Sequence, residues 1–406
     1  MRVEKNGAQS GKIFGGLWLV FFFQGMGPGF WVPALTNILK AEGYADWTPW
    51  VFAIGPACAL ISPVIGGAMA DERVPAQKLF AWCSFVSAAM LCLAFGALKM
   101  GLGPVWFMVG LAFYALASGP TWGLLATISL KHLSNGEKNY PLVRVGATFG
   151  WIAAGFVASY VLHADSSPVA GLASAVVRTL AGLVALGLPN TPPLGLGKSW
   201  RSAFGLGVFS LLKKRDHAVL FGVTGLFSIP LVAFYMYSAE FFKALGDKTP
   251  TASMTVAQWS EVAAMLSLSA LMVRYRLKTM LMYGLGLSAV RFAMSGYAGF
   301  TDVKGWHVAG VALHGVCYTM YFVTAQVYLD RRVDPALRSQ AQGLLGLMMA
   351  GLGPLIGAFF CGWLRDFCVD DAGNGWENFW WVLAGMIAVC WGAFAVMYRG
   401  VMTPGK

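Results

Sequence analysis

Long apolar blocks limit what this chain of 406 residues can fold into more than any other feature of its sequence. Three of them, near the N-terminus, cover residues 13–39, 51–70 and 79–98. Each is near or above the roughly 18 apolar residues that mark a membrane-spanning helix. Charged residues make up only 12% of the chain, about half of what a soluble domain carries. The sequence therefore predicts an all-α, polytopic membrane protein.

Reading the apolar blocks against the polar breaks between them predicts about twelve transmembrane helices. The first block is too long for a cleaved signal peptide, so we expect it to be the first helix. The helices are predicted at 13–39, 48–70, 78–98, 104–130, 141–163, 169–187, 218–243, 252–273, 278–299, 307–329, 338–364 and 379–399.

The net charge of +11 fits a membrane topology better than nucleic-acid binding, because the basic residues are spread between the apolar blocks. With both termini in the cytoplasm, Lys and Arg concentrate in the inner loops and are scarce in the outer loops. The pattern predicts a multi-pass protein of the plasma (inner) membrane, surrounded by lipid bilayer and with no nucleic-acid partner. We expect a monomer.

The longest polar break, 188–217, divides the chain into three parts. Residues 1–187 are predicted to form an N-terminal six-helix bundle and residues 218–406 a C-terminal one, joined by a basic cytoplasmic loop. Six helices on each side of such a loop are typical of a major facilitator transporter, whose halves are related by an axis along the membrane normal.

Several short stretches resemble the nucleoside:proton symporter family of the major facilitator superfamily, in that family's order along nearly the whole chain. They lie at 120–129 (PTWGLLATIS), 144–151 (RVGATFGW), 258–261 (QWSE), 291–293 (RFA) and 338–343 (RSQAQG), with a looser match in the first helix. Residues 66–73 also resemble the superfamily's G-x-x-x-D-R signature. The resemblance implies nucleoside uptake by alternating access, driven by a proton gradient and needing no cofactor.

Gln258 and Glu261 lie inside the eighth predicted helix, three positions apart on one face. A charged group at membrane depth is costly, so it usually faces a cavity or a partner. A carboxylate and an amide on one wall suit a solute with hydroxyls and ring nitrogens, and Glu261 is also our candidate for carrying the coupling proton. The alternative is a structural ion pair or an interhelical hydrogen bond.

Arg144, Thr148 and Trp151 follow i, i+4, i+7 spacing and line one stripe of the fifth predicted helix. The resemblance to the symporter family implies that all three share the nucleoside site with the pair on the eighth helix. Trp151 would supply a ring on which a nucleobase stacks. For Arg144 the alternative is that its long side chain reaches the nearby cytoplasmic surface.

Tyr318 matches an aromatic binding position of the family and is our last candidate for the nucleoside site. Aromatic core packing is the alternative. His314, one turn earlier, is a possible proton relay, although a lone intramembrane histidine is more often simply hydrogen-bonded. Residues 232–235 (VAFY) stand where family members carry side-chain amides, and Thr319 stands where some carry an acid, which leaves the substrate and the proton route open.

Nothing in the sequence points to an enzyme: it has no P-loop, no H-E-x-x-H and no G-x-S-x-G. The seven cysteines show no metal-binding spacing. Two other functions stay open. One is proton-coupled transport of a sugar or another polar metabolite. The other is a receptor or scaffold that transports nothing, against which the costly intramembrane polar residues argue.

Overall fold

The computed structural model describes residues 2–62, 74–134, 136–193, 206–334 and 337–400, and these residues contain no β-strand. The signature at 66–73 and part of the predicted central loop lie outside the described residues. The chain divides into two compact units. The first comprises Met1–Phe204 and Thr249–Ala252, and the second comprises Gly205–Lys248 and Ser253–Lys406.

The described part of the first unit is built from eight α-helices. They are α1 (Arg2–Trp31), α2 (Leu35–Ala41), α3 (Thr48–Ala59), α4 (Ala76–Lys99), α5 (Pro104–Ser118), α6 (Thr121–His132), α7 (Gly136–Phe156) and α8 (Val169–Leu186). A π-helical turn, Val157–Val161, continues α7. Such turns are rare and carry one extra residue, so the side chains beyond them are turned relative to the preceding helix.

Glycines let α1 and α7 approach closely. A Cβ atom on Gly25 would lie 2.0 Å from the carbonyl oxygen of Ala147, and one on Gly150 would lie 1.9 Å from the carbonyl oxygen of Phe22. Neither distance is possible for a real side chain. Small residues at such crossings bring backbones together and allow van der Waals packing without a hydrophobic driving force in lipid. The contact fixes α7, which carries three of the predicted site residues.

Ten further α-helices follow among the described residues, all in the second unit except that the first three residues of α10 belong to the first. They are α9 (Arg215–Ala244), α10 (Pro250–Met254), α11 (Val256–Arg274), α12 (Leu277–Thr301), α13 (Lys304–Ala312), α14 (His314–Tyr318), α15 (Thr324–Arg332), α16 (Arg338–Gly346), α17 (Gly353–Cys368) and α18 (Trp376–Met397). π-helical turns at Thr319–Val323 and Leu347–Leu352 join α14 to α15 and α16 to α17.

One of the boundaries between the units falls within α10, whose first residues, 250–252, belong to the first unit and are bound by side chains of that unit. One carboxylate oxygen of Asp165 accepts hydrogen bonds from the Thr251 backbone N–H (2.8 Å) and from the Ser159 hydroxyl (2.9 Å). The Ser159 hydroxyl oxygen accepts a third, from the Ala252 N–H (3.0 Å). The first N–H groups of a helix have no partner within it, so these side chains act as its N-cap.

Nine helices among the described residues are long and apolar enough to cross a membrane. The predicted helices at 48–70, 252–273 and 278–299 are not among them. The first continues into residues that are not described, while the other two coincide with α11 and α12. Both α11 and α12 carry polar side chains in otherwise apolar segments, which is the pattern expected of helices that line a solute path. The count of twelve remains a prediction.

Candidate functional site

Gln258 and Glu261 lie on one face of α11, as their spacing predicts. Gln258 is buried, and Glu261 is half-buried. The amide oxygen of Gln258 has no hydrogen-bond partner among the described residues, although it is inaccessible to solvent. A buried acceptor without a partner costs about 1–3 kcal/mol, which makes the Gln258 amide oxygen a candidate hydrogen-bond acceptor for a bound solute.

Gly315 sets the position of Glu261. A Cβ atom on Gly315 would lie 2.1 Å from the backbone nitrogen of Glu261, so α11 and α14 touch backbone to backbone at this point. The Ser260 hydroxyl also accepts a hydrogen bond from the Gly315 N–H at 3.2 Å. Because only glycine permits this approach, the carboxylate of Glu261 is carried on a rigid crossing of two helices rather than on a loop.

Tyr318 and Tyr235 bring aromatic hydroxyls to the same region. Tyr318 follows Gly315 on α14, and both Tyr318 and Glu261 lie within electrostatic reach of the Tyr235 hydroxyl. Tyr235 comes from α9, where the sequence suggested the loss of polar groups. That expectation missed the hydroxyl, because an aromatic residue in an apolar run looks like core packing. Within the second unit, Gln258 and Glu261 thus share a helix, and Glu261 and Tyr318 lie within electrostatic reach of Tyr235. A common site for them stays a prediction.

The side chain of His314 lies between those of Arg291 and Tyr235. An Nη1–H of Arg291 donates to His314 Nδ1 at 2.7 Å, and His314 Nε2 lies 3.5 Å from the Tyr235 hydroxyl. In the sequence alone His314 has no identified partner and Arg291 no assigned role, although a charge inside the ninth predicted helix is a signal for one. Arg291 also borders a cavity of about 10 Å³, the lower limit for one water molecule.

Arg144, Thr148 and Trp151 lie on α7 in the first unit. Arg144 is exposed, whereas Thr148 and Trp151 are half-buried. The close crossing with α1 extends to Trp151, since a Cβ atom on Gly29 would lie 2.9 Å from its Cα. These three residues thus form one stripe within their own unit. Their participation in one site with the residues of the second unit stays a prediction.

The first unit also contains a buried polar cluster around Arg178, for which the sequence suggested no role. Arg178 is 1% exposed and donates hydrogen bonds to the side-chain oxygens of Gln24 and Ser87. The Gln24 amide in turn donates to the Thr121 hydroxyl at 2.8 Å. This network links α1, α4, α6 and α8, and it explains why a glutamine and an arginine occur in apolar helices.

Apolar helices of membrane-spanning length, interrupted by convergent polar residues, define a polytopic membrane transporter. A model of the nucleoside H⁺ symporter family matches residues 14–402. The chain belongs to the nucleoside:proton symporter family, a family of permeases and not of enzymes.

Individual relatives agree with this assignment. The chain is 31% identical over 388 residues to YegT of Escherichia coli (strain K12), covering 91% of this chain and 90% of YegT. It is 26% identical over 359 residues to the nucleoside permease NupG of the same organism, with 84% of each chain covered. A crystal structure of the nucleoside transporter NupG superposes with a TM-score of 0.83 at 22% identity, covering 95% of this chain and 99% of the other. The protein therefore has the fold of that transporter.

Proposed function

We propose that this protein imports nucleosides together with protons, by alternating access around a site shared by two six-helix halves. The proposal assigns residues 1–187 and 218–406 to the halves and 188–217 to a cytoplasmic loop, with twelve transmembrane helices in total. The protein acts in the plasma (inner) membrane with both termini in the cytoplasm. Membership of the symporter family supports the proton coupling, and relatives named nucleoside permease and xanthosine permease support the substrate class.

The unpartnered amide oxygen of Gln258 beside Glu261 is the observation that carries the proposal. A nucleoside offers ring N–H groups, an exocyclic amine or carbonyl, and ribose hydroxyls. An N–H or hydroxyl donor fills the open acceptor on Gln258, and the carboxylate of Glu261 accepts from a second donor. A solute without such donors leaves the amide oxygen buried and unpaired, which is how a polar site rejects close analogues.

We assign the remaining contacts to Arg144, Thr148, Trp151 and Tyr318. The two aromatic rings provide flat apolar faces for the nucleobase, which every base can use irrespective of its hydrogen-bonding edge. Thr148 and Arg144 offer a hydroxyl and a guanidinium to the polar edge of the solute. Stacking therefore supplies affinity for nucleosides as a class, while the polar side chains select among them.

A panel of labelled solutes tests the proposal. Proteoliposomes containing the purified protein are offered uridine, adenosine, xanthosine, a hexose and a pentose, with and without an inward proton gradient. We expect gradient-dependent accumulation of one or more nucleosides and none of the sugars. Accumulation of a sugar alone would assign the protein to polar-metabolite symport. No accumulation of any solute, despite correct insertion, would contradict transport.

A further inference from the structure

Arg291 places a buried positive charge close to the candidate site without a carboxylate beside it. The side chain is 2% exposed, and none of the ion pairs found among the described residues includes it. Its guanidinium carbon lies 4.9 Å from the ring centre of Phe234 and 4.5 Å from that of Phe292. Contacts with these two aromatic faces therefore hold the guanidinium in place. Its hydrogen bonds determine which neighbouring atoms must act as acceptors.

The hydrogen bond to His314 fixes where the histidine carries its hydrogen. A guanidinium has donors only, so the Nδ1 atom 2.7 Å away must accept and cannot be protonated. The neutral ring then carries its hydrogen on Nε2. A second proton on Nδ1 would remove the acceptor and place two cations in contact in a buried site, which excludes His314 as a carrier of positive charge while this bond holds.

The Nε2–H side of the ring faces the hydroxyl of Tyr235. The His314 ring is stacked on Phe234, with ring centres 4.0 Å apart and planes within 11°, so it cannot turn freely. Its Nε2 atom lies 3.5 Å from the Tyr235 oxygen, a long contact in which nitrogen donates and oxygen accepts. The hydroxyl hydrogen of Tyr235 is then directed to another acceptor, and Glu261 lies within its electrostatic reach.

We propose that Arg291 is a positioning residue that acts through His314 to orient the Tyr235 hydroxyl as a hydrogen-bond donor on the Glu261 side of the site. Arg291 itself does not touch the solute. The bonds run in one direction, from guanidinium to imidazole to phenol, and end at the polar group that α9 contributes. The role in solute binding rests on the proposed function, whereas the tautomer of His314 does not.

The tautomer is measured directly in protein labelled with ¹⁵N-histidine, without solute. The chain has five histidines, and the signal of His314 is identified by its loss in His314→Gln. We expect a bare Nδ1 and a protonated Nε2, and a shift toward the other tautomer in Arg291→Met. Arg178→Met, which removes the buried arginine of the first unit, is the matched control and should leave the signal unchanged. A hydrogen on Nδ1, or no response to Arg291→Met, would overturn the inference.

Two His314 substitutions separate the hydrogen bond with Arg291 from the hydrogen bond with Tyr235. Asparagine places an acceptor near the Nδ1 position but offers no donor to Tyr235, whereas glutamine keeps a donor near the Nε2 position and loses the acceptor for Arg291. We expect His314→Asn and Tyr235→Phe each to raise the KM for nucleoside uptake about three- to tenfold, the loss of one hydrogen bond. The double variant should be no worse than either single one, and His314→Gln should retain more affinity than His314→Asn.

Fully additive losses in the double variant would contradict the positioning role and indicate two independent packing defects. If the wild-type protein accumulates no nucleoside in the panel while the His314 tautomer is as expected, the proposed function fails and the assigned tautomer stands. If nucleosides are transported but the tautomer is the other one, the positioning role fails and the proposed function stands.

Discussion

Glu261 combines features that proton coupling requires at one residue. It is a half-buried carboxylate, it is carried on a rigid crossing of α11 and α14, and it lies within electrostatic reach of the Tyr235 hydroxyl, which we propose is oriented through His314. Its affinity for a proton then depends on whether water or a solute is beside it. Coupling is reciprocal, so a solute that changes proton affinity is itself bound more or less tightly when the proton is present.

Replacing Glu261 with glutamine tests this coupling. Glutamine keeps the shape and much of the hydrogen bonding but cannot ionise, so we expect Glu261→Gln to abolish gradient-driven accumulation and to spare solute exchange. The measurement is uptake into proteoliposomes under an imposed proton gradient, with counterflow of the same nucleoside as the control for binding and movement. If the variant still concentrates substrate against its gradient, Glu261 does not carry the coupling.

Trp151 tests base stacking. The indole ring presents a large apolar face, and stacking of one base contributes about 1–3 kcal/mol. We expect Trp151→Ala to weaken nucleoside binding by that amount, as measured by calorimetry, and Trp151→Phe to retain much of the affinity. Equal losses from both substitutions, or no loss from either, would show that the ring does not stack on the solute.

The candidate site could be proposed from the sequence where its residues share a helix, and not where residues meet across helices. Gln258 and Glu261 stood out because polar groups are costly in lipid, and their spacing fixed a common face. The hydrogen bonds from Arg291 through His314 to Tyr235 join α12, α14 and α9. No spacing in the sequence links these three residues. Their geometry depends on packing, which only the fold reveals.

At the scale of the helix, Gly315 sets how closely α11 and α14 approach each other beside Glu261. Apolar blocks predicted the positions of most helices because the bilayer imposes their length. The blocks did not predict the π-helical turns that continue α7 and α14, since these depend on one extra residue within an otherwise regular helix. Nor did they predict that Gly315 presses its backbone against that of Glu261.

Gly315→Ala tests this crossing. The added methyl group must separate α11 from α14, and overpacking of this kind costs about 1–3 kcal/mol. We expect lower thermal stability in detergent and weaker nucleoside binding, because Glu261 shifts with its helix. Gly385→Ala is the matched control in α18, where a Cβ atom meets nothing within 4 Å. Unchanged binding in Gly315→Ala would show that the crossing does not determine the geometry of the site.

At the scale of the whole molecule, the family could be read from the order of short motifs, and the long segments of lipid-compatible sequence predicted the all-helical class. The packing of Thr249–Ala252 with the first unit, while the residues on either side belong to the second, could not be predicted. It depends on a carboxylate 86 positions away from Thr251 along the chain, and neither residue differs in type from many others in the loops.

The N-cap of α10 has a measurable effect on amide hydrogen exchange. The N–H group of Thr251 bonds to Asp165, in the turn before α8, and that of Ala252 to Ser159, in the π-helical turn after α7, so their exchange should slow while those bonds last. We expect Asp165→Ala to speed exchange of the peptide around 249–254 by about tenfold or more, as loss of a charge-assisted bond predicts. Asp165→Asn, which keeps an acceptor, should have a smaller effect.

Asp370 provides the control, since it accepts the Asn374 N–H at 2.8 Å in a turn of the second unit. Asp370→Ala should leave the peptide around 249–254 unaffected, and equal exchange in Asp165→Ala and wild type would contradict the capping role. The amide hydrogens of Thr251 and Ala252 thus report the opening of this cap. Their exchange rate, followed while nucleoside or acid is added, reports how often this end of α10 separates from Asp165 and Ser159, with no label attached to the protein.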